Sequence, residues 1–121
     1  MKKYIHSLFI LLLVISSNES LGNEKEKFVN DLISKMTLEE KVGQMTQINL
    51  TVIAKGPNRF SSSFPMEIDD SRANKALVDF KVGSVLNTIN NTAQKPSVWF
   101  KNISKIQKIA MNNNRLGIPV I

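Results

Sequence analysis

Residues 81–121 read KVGSVLNTINNTAQKPSVWFKNISKIQKIAMNNNRLGIPVI. The run 82–89 is short, rich in Val, Leu and Ile, and apolar on both faces, as in a strand of a parallel sheet covered on both sides. A polar connection, NNTAQKPS, follows it. Pro96 suits the first turn of a helix, and Val98, Trp99, Ile103, Ile106, Ile109, Ala110 and Met111 recur with a 3.6-residue period. This predicts a long helix from Pro96 to about Arg115, with Gly117 placed to end it. Residues 118–121 then begin a second apolar strand. Strand, helix and strand in this order make a parallel βαβ crossover. With its second strand barely begun, such a unit leaves apolar helix faces without partners, so the reading expects further polypeptide.

Upstream the pattern is mostly helical. Phe28, Val29, Leu32, Ile33 and Met36 recur at spacings of three and four and predict an amphipathic helix over 24–36. Thr37 restarts the pattern as an N-cap, and Glu40 supplies the second half of a capping box. Leu38, Val42 and Met45 are expected to form the buried face of this second helix, with Gly43 permitting a close neighbour. The β-branched stretch 48–54 reads as a short strand or extended segment. KGPNRFSSSFP is a loop by composition, which Phe60 and Phe64 are expected to pin to the body. Asp69 or Asp70 starts a helix through Phe80, with the carboxylate favouring the helix dipole.

The first residues differ in kind. Lys2 and Lys3 precede an apolar run over 7–15, and Ser20 and Gly22 give a small-x-small site for cleavage after Gly22, the pattern of a secretory leader. The alternatives are a membrane anchor or a buried helix, but the run falls short of the ~20 residues that span a bilayer. The expected domains are a signal peptide over 1–22 and a second region over 23–121. The expected destination is the periplasm or the medium, with no stable membrane anchor after leader removal.

The chain has no Cys, and its one His, His6, lies in the leader, which leaves the mature region without a zinc site or a Cys/His nucleophile. Formal charge is +6; without Lys2, Lys3 and Glu19 it is 14 basic against 9 acidic residues, or +5. The lysines are scattered among acids rather than clustered with aromatics, which reads as a solvated surface and not a nucleic-acid interface.

Three motifs, LISKMTLEEKVGQMTQINL, FKVGSVLN and NNNRLGIPVI, resemble in that order the N-terminal part of glycoside hydrolase family 3. The resemblance runs from about Phe28 to Ile121 and is weakest over 54–68. It implies an α/β fold, the beginning of a (β/α)8 TIM-type barrel, truncated and preceded by the signal peptide. The implied activity is retaining hydrolysis of β-linked glucose from the non-reducing end of a β-glucoside or β-glucan, without cofactor or metal. The implied partner is a β-linked oligosaccharide or glucoside substrate. A family β-xylosidase or N-acetylhexosaminidase, or a small exported binding module, are the other readings. By the same resemblance, the segment after RLGIPVI carries an aspartate that binds sugar hydroxyls, and the nucleophile and acid/base lie further downstream. This sequence therefore supplies no catalytic residue, and the chain alone is expected to be inactive.

The acids present do not suggest a local substitute. Retention needs two carboxylates roughly 5 to 5.5 Å apart. Glu39 and Glu40 are adjacent on a helix and point about 100° apart, Asp69 and Asp70 suit a helix start, and Asp31 and Asp79 fall on polar faces. Trp99 lies in an apolar stripe, where burial is favoured over sugar stacking. Asn87 and Thr88, just past a strand, stand where side chains either line a sugar site or cap a loop. Asn49, Asn90 and Asn102 head glycosylation triplets.

Overall fold

The computed structural model describes residues 22–58, 60–86 and 93–121. The chain divides into two units, Met1–Met36 and Thr37–Ile121. In the first, residues 22–35 form helix α1, on which Phe28, Val29 and Ile33 are exposed. The expected leader, residues 1–22, lies outside the described residues except for Gly22. None of the described helices is long and apolar enough to cross a membrane.

In the second unit, Thr37 caps α2 (Leu38–Gln44) through the expected box: Glu40 N–H donates to Thr37 Oγ1 at 3.2 Å, and Thr37 N–H donates to Glu40 Oε2 at 2.8 Å. The buried side of α2 is not the apolar one. Leu38, Val42 and Met45 are 72%, 57% and 87% exposed, and Glu40 and Gly43 face the body instead. The reason is backbone proximity. A side chain on Gly43 would meet the Phe80 and Lys81 carbonyls at 2.6 and 2.5 Å, so only the glycine side of α2 fits against them. The apolar stripe of α2 joins Ile48, Phe80 and Val82 around an open groove.

Strand β1 (Gln47–Asn49) ends sooner than the sequence suggests. Asn49 Oδ1 accepts from Thr51 N–H at 3.0 Å and from the Thr51 hydroxyl at 2.9 Å, an Asx turn that bends 50–52 into a 3₁₀ turn. The loop beyond doubles back, with Ala54 bridged to Ile68. Phe60 and Phe64 do not pin it, being 75% and 72% exposed. Met66 and Ile68 do, buried to 2% and 1%, along with the Arg72 guanidinium, which donates to the Ala54 carbonyl at 2.8 Å.

Helix α3 (Asp70–Asn74) is capped by Asp69 and continues as a π-helical turn over Lys75–Asp79, closed by Phe80 N–H to the Lys75 carbonyl at 3.0 Å. Lys81, at φ 57°, turns the chain into β2 (Ser84–Leu86). Helix α4 (Pro96–Asn113) starts on its proline as expected. It stops two residues before Arg115, and Gly117 takes up a left-handed φ of 59° in the turn that follows.

Strands β1 and β2 are parallel, with Gln47, Ile48 and Asn49 opposite Ser84, Val85 and Leu86. Ile121 lies along the other edge of β2. Its N–H donates to the Gly83 carbonyl at 2.9 Å, and its carbonyl accepts from Val85 N–H at 2.8 Å, the hydrogen-bond pattern of a parallel neighbour of Ser84. Ser84 N–H turns the opposite way, to the Thr46 carbonyl at 3.3 Å. The spatial order is therefore the chain order, β1, β2, then Ile121; the sheet has two strands, and the expected strand over 118–121 is met only by this pairing of Ile121. Helix α3 is the crossover between the first pair, and α4 lies in the second. Ile48 and Val85 pack against the core that Leu77, Ile106 and Ala110 build from the two helices. Fully burying a side chain such as Leu77 contributes about 1.5 to 3 kcal/mol.

Candidate functional site

Side chains alternate across a strand, so the helices cover only the Ile48 and Val85 face. The opposite face carries Gln47, Asn49, Ser84 and Leu86. Gln47 Nε2 donates to Ser84 Oγ at 2.7 Å, a cross-strand contact between directly opposed residues. Ile121, in register with Ser84, is 91% exposed. This open, partly polar sheet face ends at Asn49 and Leu86, the C-terminal ends of β1 and β2. In α/β folds, ligand-binding groups stand at that end. Asn87 and Thr88 lie outside the described residues.

The charged groups flank α3 and α4. Glu67 binds Lys55 at 2.8 Å, with Lys101 at 3.9 Å, and Asp70 binds Lys105 at 2.8 Å. The Lys55 ammonium, through its hydrogen bond and charge, holds Glu67 below the usual carboxylate range. The Arg72 backbone N–H does the same for Asp69. Glu39 is lowered by backbone and Thr37 hydrogen bonds, and Glu40 first by the Thr37 N–H and then by Arg115. All four are ionised at neutral pH and poorly suited to donate a proton, since a general acid needs a raised pKa. Asp31 pairs with Lys35 on α1 at 2.6 Å. Among the described residues, no group of three His, Cys, Asp or Glu comes together.

Over 116 residues the chain is 29% identical to the lysosomal beta glucosidase of Dictyostelium discoideum. The match takes in 86% of this chain and 13% of that protein, so the chain spans about an eighth of its relative's length. It is a distant, partial relation to a glycosidase. No family model matches the chain.

The sequence reading named Asn102 only as the head of a glycosylation triplet and passed over Gln107, both carboxamides of α4. Asn102, 1% exposed, donates through Nδ2 to the Met66 and Val98 carbonyls, both at 2.9 Å, and accepts from Ile68 N–H at 3.2 Å. Its nitrogen is thus committed inside the fold and sterically closed to a glycan. Asn49 likewise serves as a turn cap. Gln107 binds Val120, as described below. The only hint in the sequence is that both carboxamides sit within the apolar period of α4. Trp99 is half-buried, packs on the core and lines an apolar cavity of about 550 Å³ with Leu50, Val85, Ile106 and Val120.

Proposed function

We propose that residues 37–121 are the opening strands and helices of a (β/α)8 barrel in an exported glycoside hydrolase of family 3. The whole protein removes β-D-glucose from the non-reducing end of β-glucosides or β-glucans with retention of configuration. The observation that carries this reading is the parallel order β1, β2, Ile121, in which neighbours in sequence are neighbours in the sheet and the helices cover one face. A barrel is built by repeating that unit. The relation to a beta glucosidase supports the same reading. So do the open sheet face and the apolar groove around Val42 and Phe80, since extended apolar surface marks a place that other structure covers.

On this reading the chain contributes wall and not chemistry. Its lowered carboxylates are structural, and the nucleophile and acid/base belong to polypeptide beyond Ile121. The test compares turnover of a chromogenic β-glucoside by residues 23–121 with turnover by the product of the intact reading frame. The longer product is expected to be active and the shorter one inert. Specific turnover by the shorter one, or inactivity of both, would overturn the reading.

A further inference from the structure

Ile121 turns both its backbone groups to β2, so Val120 presents its own to the opposite edge. There the side chain of Gln107, from the middle of α4, takes both. Gln107 Nε2 donates to the Val120 carbonyl at 2.6 Å, and Val120 N–H donates to Gln107 Oε1 at 3.1 Å. A primary carboxamide carries the donor and acceptor of a peptide group. Gln107 therefore offers Val120 what an adjacent strand would offer. The Val120 side chain is 8% exposed, so the position is fixed by packing as well.

We propose that Gln107 is a positioning residue whose carboxamide substitutes for a neighbouring strand at Val120. It sets the height of 118–121 against β2 and lets any further strand pair with that edge only beyond Val120. The clamp stands on geometry alone. Its service to catalysis rests on the barrel reading, in which sugar-binding groups follow Ile121. A shift of that segment along β2 would displace those groups and weaken their hold on the sugar.

The test uses the protein expressed from its intact reading frame, with Gln107→Leu and Gln107→Glu. Leucine removes both hydrogen bonds at every pH. Glutamate removes them conditionally. Ionised, it has only acceptors and sets an oxygen against the Val120 carbonyl. Protonated, its O–H donates to that carbonyl and its other oxygen accepts from Val120 N–H. The fold thus favours the protonated form, and the folded pKa lies above the ordinary value of about 4.3. Stability lost by the glutamate variant is then greatest above the folded pKa and is recovered as pH falls toward the unfolded value. The other side chains lining the adjoining cavity are apolar or carboxamide, and Lys108, its neighbour on α4, is exposed.

Melting temperature is read against wild type from about pH 7 to pH 4.5, and KM and kcat on p-nitrophenyl β-D-glucoside at about pH 7. The expected result is a glutamate deficit that at least halves on acidification while the leucine deficit stays constant. KM in both variants is expected to rise about tenfold with kcat within about threefold of wild type, the pattern of lost substrate binding. A glutamate deficit independent of pH, or no deficit in either variant, overturns the clamp. Wild-type turnover with unchanged KM in both variants overturns the positioning role. Acid recovery in a protein without β-glucoside turnover keeps the clamp and removes the barrel reading. Should the leucine variant fail to fold, the acid recovery of the glutamate variant still decides the clamp.

Discussion

Arg115 donates to Glu40 Oε2 at 2.7 Å across 75 positions of sequence, and the same oxygen accepts the N–H of Thr37. One carboxylate thereby closes the capping box of α2 and ties it to the turn after α4. Its pKa is lowered, so the stability it supplies is present above the unfolded value, near 4.5, and lost as pH falls through the folded value. Glu40→Gln is expected to lower the melting temperature at neutral pH and to flatten its fall between about pH 5 and pH 3. Thr37→Ala, which removes the N-cap oxygen, is expected to cost about 1 kcal/mol. Thermal melts across pH check both; an acid limb as steep in Glu40→Gln as in wild type would contradict the assignment.

Gly43 and Gly83 meet back to back. Gly83 N–H donates to the Gly43 carbonyl at 2.9 Å, and a Cβ on Gly83 would lie 2.6 Å from the Gln44 carbonyl oxygen. Gly43→Ala gains up to about 1 kcal/mol of helix propensity but forces the 80–81 backbone away, an overpacking cost of about 1 to 3 kcal/mol. Both alanine variants are expected to unfold at lower urea concentration than wild type. An unchanged or raised midpoint would show that the contact relaxes.

Asn102 is the buried polar centre of the α4 interface. Asn102→Ala strands the Met66 carbonyl and the Ile68 N–H, while the Val98 carbonyl keeps its intrahelical bond, and a net loss of roughly 3 kcal/mol is expected. Asn102→Asp is expected to be about as harmful near neutral pH, because a carboxylate cannot donate to the two carbonyls. Denaturant titration measures both. When the chain is expressed in a eukaryotic secretory host, mass spectrometry is expected to find no glycan on Asn102. A glycan there would mean that this part of α4 opens.

The helices were legible because their signals are local. Thr37 with Glu40, Asp69 and Pro96 each mark a start by chemistry that acts within one turn. The close approach at Gly43 was legible for a similar reason, since a glycine inside an amphipathic helix needs a packing explanation. Which side of α2 faces inward was not. The apolar stripe pointed to Leu38 and Val42, whereas backbone contact with 80–81 and the distant Arg115 decided for Glu40 and Gly43. The loop misled in the same way. Aromatic content suggested Phe60 and Phe64 as anchors, but the anchors are Met66, Ile68 and a hydrogen bond from Arg72, whose partners lie 16 to 18 residues away. In the sequence Asn102 stood out only as the head of a glycosylation triplet and Gln107 not at all, and only three-dimensional pairing with 66–68 and Val120 gives them roles.

Because the central claim is that this sheet opens the barrel of a retaining β-glucosidase, the most direct measurement is the configuration of the first sugar released by the intact reading-frame product, followed by ¹H NMR before mutarotation. The account predicts β-glucose first, with the α anomer appearing only later. Initial release of α-glucose, or no glucose released from any β-glucoside, would contradict it.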